Sequence, residues 1–178
     1  MAATAVSPER RPNRLRWLIR GAAACLLALP LVAMQFTREV QWTGIDFAVM
    51  GTLLAIACGA YEFGAWLSGD RTYRAAFGLA VLTGFLLMWV TLAVGIIGAE
   101  NDEANVLFLG VLATGAIGAV LARFRARGMA FALAATALAQ LATIVISIAN
   151  GWPAANAPSA VFCALWLASA ELFRRAAR

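Results

Sequence analysis

The stretch VLTGFLLMWVTLAVGIIGAENDEANVLFLG, Val81–Gly110, reads as the end of one membrane-spanning helix, a short acidic turn, and the start of the next. The turn Glu100-Asn101-Asp102-Glu103-Ala104-Asn105 is the densest group of polar residues in an otherwise mostly apolar chain. A brief polar break between long apolar runs is what two helices crossing the ~30 Å hydrocarbon layer require. The rest of the chain repeats this pattern.

Composition agrees. The chain is 178 residues long, 63% hydrophobic and only 13% charged, with a mean hydropathy of +0.82. Soluble domains carry about 25% charged residues. The apolar residues fall into six blocks, near Trp17–Phe36, Phe47–Leu67, Ala75–Ile97, Val106–Ala122, Met129–Ala149 and Ser159–Leu172. Each is continuous and lacks the alternation of a membrane β-strand. The expected fold is therefore an all-α bundle of six spans in three hairpins. Residues 1–16, with Pro8, Pro12 and four arginines, are expected to form a disordered cytoplasmic arm. Residues 17–174 form the transmembrane domain, and 175–178 a basic cytoplasmic tail. Trp17–Phe36 could also be a signal-peptide core behind a basic region, but no small-x-small cleavage site precedes Gln35, so it is read as a retained first span.

Every basic residue is arginine, and in this arrangement all except Arg38 fall on one side of the membrane. The opposite loops carry Glu39, Asp46, Glu100, Asp102 and Glu103. Arginine and lysine near span ends mark the cytoplasmic face, so both termini are expected inside. The arginines flank apolar blocks and form no single patch, which argues against nucleic-acid binding. Trp17, Trp42, Trp66 and Trp152 lie near block ends, as an interfacial aromatic belt would place them.

The chain has no histidine. That removes histidine-ligated haem, histidine-containing zinc sites and Ser-His-Asp triads. Without lysine there is also no phosphate-cradling loop of the Gly-Lys kind. Cys25, Cys58 and Cys163 lie in three different blocks without paired spacing and read as small apolar residues. No catalytic residue, cofactor or metal is expected, and the protein is not expected to be an enzyme.

Four features could carry function. On the fifth block Thr136, Gln140, Thr143 and Ser147 follow one another at spacings of 4, 3 and 4, on one helical face. That face should point inward, either as the lining of a pathway or as an interhelical hydrogen-bonding line. Glu62 is the one acid well inside a span, which makes it a functional carboxylate or the partner of an interfacial arginine. Glu100, Asp102 and Glu103 form a candidate outer acidic rim, although capping of the fourth helix by Asn101 or Asp102 explains the same composition. Gly51 and Gly59 in the second block, and Gly110, Thr114 and Gly118 in the fourth, are candidate helix-packing positions. The two glycine pairs share a spacing of eight, a faint sign of internal duplication.

The segment Trp89–Asn105, with its Ala93-Val94-Gly95-Ile96-Ile97-Gly98-x-Glu100 core, resembles one in small uncharacterised bacterial inner-membrane proteins. The likeness extends over Gly110–Gln140, including the Arg123–Met129 loop. It implies a bacterial inner membrane and brings no activity, substrate or site with it.

Two classes of function remain. One is a non-catalytic accessory subunit that engages the bilayer and another membrane protein, or itself, through its small-residue faces and acidic turn. The other is a small transporter or channel for a cation or small solute, with Glu62, Thr136, Gln140 and Thr143 along the path.

Overall fold

A computed structural model describes residues 14–98, 102–152 and 155–178. Six α-helices follow in chain order: α1 Arg14–Phe36, α2 Gly44–Leu67, α3 Arg71–Ala93, α4 Val106–Leu121, α5 Ala126–Ala149 and α6 Asn156–Ala176. A short 3-10 turn, Glu103–Asn105, leads into α4. All six helical segments are long and apolar enough to cross a membrane, at 19 to 24 residues each. This is the make-up of a multi-pass membrane protein.

Helix limits follow local chemistry. Thr43 stands before α2 in a reciprocal cap: its N–H and hydroxyl both donate to Asp46 Oδ2, at 2.6 and 2.8 Å. Trp42 lies edge-on to Phe47 with ring centroids 5.2 Å apart, so an aromatic pair staples the same entry. Asp70 caps α3 by accepting from Tyr73 N–H at 2.6 Å. The expected irregular arm at 1–16 lies mostly outside the described residues, but Arg14–Arg16 already belong to α1. Once past Pro12 nothing in Arg-Leu-Arg opposes a helix.

The third span ends earlier than its apolar run suggests. The apolar block continues to Ile97, but α3 stops at Ala93. Gly95 and Gly98 take the left-handed conformation, φ +74° and +62°. They turn the chain so that Ile96 and Ile97 fold back into the core.

The chain divides into two compact units, Met1–Gly51 and Thr52–Arg178. In the first, none of the Trp17–Phe36 window is buried, and Phe36 is 87% exposed. The second is built around α3–α6. Here α6 packs between α5 and α3, and α4 packs on α5, while the contact between α3 and α4 is thin. The pairings that organise this unit are thus α5 with α6, α4 with α5 and α3 with α6. Its core joins Phe77 and Leu87 of α3, Phe108 and Val111 of α4, Met129, Leu133 and Ala137 of α5, and Phe162, Trp166 and Phe173 of α6.

Candidate functional site

Thr136, Gln140, Thr143 and Ser147 all point into the bundle, and all four are buried. Their spacing places them on the inner face of α5, and a buried polar group at membrane depth needs a partner. Most of them find one close by. Thr136 Oγ1 donates to the Ala132 carbonyl at 2.9 Å, and Thr143 Oγ1 to the Gln140 carbonyl at 2.7 Å. Ser147 Oγ donates to the Trp152 carbonyl beyond the helix end. Gln140 Nε2 reaches Thr143 Oγ1 at 3.4 Å, a long bond. Gln140 Oε1 is buried with no hydrogen-bond partner, and the same holds for Trp166 Nε1 and Asn156 Oδ1.

The other helices add hydroxyls of the same kind that sequence reasoning did not single out. Thr83 and Thr91 on α3 bond the carbonyls four residues back, Leu79 and Leu87, both at 2.7 Å. Ser169 on α6 crosses to α3 and donates to the Ala76 carbonyl at 2.7 Å. Its i+7 spacing from Phe162 and its i+3 spacing from Trp166 were the signal that it faces inward.

In the acidic turn, two of the described polar residues bond to the backbone. Asp102 caps the 3-10 turn, its Oδ1 accepting from Ala104 N–H at 2.9 Å. Glu103 is exposed, and Glu100 lies outside the described residues. The residue at the centre is Asn105, which is buried. Its Oδ1 accepts from the N–H groups of Ile96 and Ile97, each at 3.0 Å, and its Nδ2 donates to the Ile97 carbonyl at 3.1 Å. One side chain thereby satisfies three backbone groups of the in-turned segment. Nothing in the sequence set Asn105 apart from its polar neighbours except two flanking glycines on the segment it holds.

At the opposite end of the bundle, the α4–α5 turn puts two non-glycine residues in the left-handed region, Arg123 at φ 50° and Phe124 at φ 56°. Such backbone costs energy unless its surroundings hold it. Here Tyr73 Oη donates to the Phe124 carbonyl at 2.7 Å. The Phe124 ring meets Phe63 edge-on at 5.1 Å, and Tyr73 meets Phe173 in the same way at 5.1 Å.

Glu62 is half-buried on α2 and has an interaction partner. Glu171 forms a surface pair, bonded to Arg174 Nε at 2.6 Å and Arg175 Nε at 2.9 Å. The close helix contacts fall partly on other small residues than those expected. A Cβ on Gly118 would lie 2.8 Å from Ala132 Cβ, and one on Gly115 3.2 Å from Thr136 Oγ1. On Gly64 it would lie 2.2 Å from the Phe77 ring. At Gly59 and Gly110 it would meet nothing within 4 Å, and at Gly51 only Leu27 at 3.9 Å. Thr114 spends its hydroxyl on the Gly110 carbonyl at 2.8 Å. Among the described residues no three His, Cys, Asp or Glu side chains gather as a metal site would need.

The chain matches no protein-family model, no curated protein and no solved structure.

Proposed function

We propose that this chain is a non-catalytic accessory subunit of a membrane assembly, spanning a bacterial inner membrane six times with both termini in the cytoplasm. The observation that carries this reading is the state of the bundle interior. The hydroxyls of Thr83, Thr91, Thr136, Thr143, Ser147 and Ser169 all donate to backbone carbonyls of the chain itself. A solute path needs polar groups that can exchange partners, whereas these are engaged by the chain's own backbone, and Ser169 ties α6 to α3. In the first unit, α1 exposes many of its large apolar side chains, Trp17, Leu18 and Phe36 among them. An unburied span of this kind is available to lipid or to another protein's helix. The orientation rests on the arginines, all but Arg38 of which fall on one face.

A second reading, a small transporter, is favoured by one observation: the buried Gln140 Oε1 lacks a hydrogen-bond partner, and a passing solute could supply it.

Extraction from the native membrane in mild detergent, followed by sizing and identification of co-migrating proteins, tests the first reading. A partner recovered in fixed stoichiometry is the expected result. A lone chain whose liposome flux is abolished by Gln140→Leu or Glu62→Gln, with helicity intact, would replace it with the second.

A further inference from the structure

On α5, Arg127, Ala130, Phe131 and Ala134 follow at i, i+3, i+4 and i+7 and share one face. On α6, Leu167, Ala170, Glu171 and Arg174 do the same, and Arg178 follows two residues beyond the helix end. The two helices are antiparallel neighbours, so Arg127 at the start of α5 and Arg174 and Arg178 at the end of α6 come to the same end. Together these residues line a groove of ≈ 490 Å³ on the outer surface of the bundle. Its floor is small and apolar, made by Ala130, Ala134 and Ala170. Its walls include Phe131, 73% exposed, and Leu167, 52% exposed. Its rim is basic.

The charges at that rim are unbalanced. Among the described residues Glu171 is the one acidic side chain lining the groove, and it is already held by the Nε atoms of Arg174 and Arg175. Those bonds leave the terminal amino groups of Arg174 to bond elsewhere. Among the described residues, no carboxylate pairs with Arg127 or Arg178. A fork of guanidinium donors suits a phosphate, and the furrow running from it toward mid-membrane suits an acyl chain.

We infer that this groove between α5 and α6 binds an anionic phospholipid, with its phosphate at Arg127, Arg174 and Arg178 and an acyl chain along Ala130, Ala134 and Leu167. A zwitterionic lipid offers the same chain and phosphate, but brings a cation to a rim that is already positive. A free phosphate offers nothing to the apolar furrow. Basic pockets between spans on the cytoplasmic side are where anionic headgroups bind. The inference rests on the multi-pass membrane reading and needs neither the accessory nor the transporter role.

The test is lipid retention by the full-length protein, purified in detergent and exposed to mixed micelles of phosphatidylglycerol or of phosphatidylcholine with identical chains, read by native mass spectrometry. One phosphatidylglycerol should be retained per chain, with about ten-fold preference over phosphatidylcholine. The double variant Arg127→Gln/Arg178→Gln should bring retention down to the phosphatidylcholine level. Ala134→Phe, which fills the furrow and keeps every charge, should also abolish it. The control Arg71→Gln/Arg123→Gln removes two arginines at the same end of the bundle but outside the groove, and should leave retention unchanged. Circular dichroism checks that each variant keeps its helices. Equal retention of both lipids overturns the inference. So does an equal loss in the control, or displacement of the bound lipid by inorganic phosphate alone. A protein that stays in the aqueous phase without detergent would instead overturn the membrane reading beneath it.

Discussion

At one end of the bundle, rings close the space between helices; at the other, hydrogen bonds do. The first end gathers Phe63, Tyr73, Phe77, Phe124 and Phe173 around the α4–α5 turn, with ring centroids 5.1 to 6.4 Å apart. The second folds Ile96 and Ile97 inward and holds them on Asn105, while Ser147 ties the α5–α6 turn through Trp152. The turns differ in the same way. The aromatic end joins two helices with a tight turn and leaves few backbone groups open. The polar end carries non-helical backbone into the core, and such backbone survives at membrane depth only where protein satisfies it. Polar residues in a membrane protein can thus be consumed by the backbone of the chain itself.

The contrast can be broken most severely at Asn105. Asn105→Leu strands two buried N–H groups and a carbonyl, at about 1–3 kcal/mol each, so a loss of roughly 4 kcal/mol or more is expected in reversible unfolding from mixed micelles. Asn105→Asp keeps the acceptor for both N–H groups but turns a buried carboxylate oxygen toward the Ile97 carbonyl, so it should recover only a minor part of that loss. If the leucine variant melts like wild type, the polar end is not held by this side chain.

At the aromatic end the most damaging small change is Gly64→Ala, whose methyl would overlap the Phe77 ring. Overpacking of this kind costs about 1–3 kcal/mol, and thermal unfolding should show it as a clearly lowered midpoint. Pairing it with Phe77→Leu should restore part of the loss, because the clash is with the ring itself. Tyr73→Phe is milder: it retains the ring and removes only the bond to the Phe124 carbonyl, at about 1 kcal/mol. A larger effect would mean that the left-handed turn collapses without it.

The smallest effect separates two glycines of α4. Gly118→Ala would push against Ala132, whose Cα is only 3.3 Å from the new methyl, and should destabilise despite alanine's better helix propensity. Gly110→Ala meets open space and should be neutral or stabilising by up to ~1 kcal/mol. If Gly110→Ala leaves the monomer stable but disperses a complex, the open face at Gly110 is where a second chain sits.

The six spans were legible because nothing but lipid requires apolar runs of this length. The inward face of α5 was legible too, since the 4, 3, 4 spacing of its polar residues admits one helical face. The end of α3 was hidden: Val94, Ile96 and Ile97 continue the apolar run, and only Gly95 and Gly98 betray the break. Asn105 was hidden because its role depends on backbone eight and nine residues away. Arg123 and Phe124 carry no local signal for left-handed backbone, as neither residue type favours it. Close packing at Gly64 and Gly115, in place of Gly59 and Gly110, depends on how the helices are rotated against their neighbours, which spacing alone does not determine.

Ser169 of α6 reaches back 93 residues to the carbonyl of Ala76, and that bond has a consequence for how the protein is made. Synthesis delivers α3 long before α6, and α3 meets α4 only along a thin edge. Until the last helix arrives, α3 therefore lacks its main neighbour and α5 lacks half of its packing surface. A chain interrupted before α6 would leave α3 and α5 without these contacts.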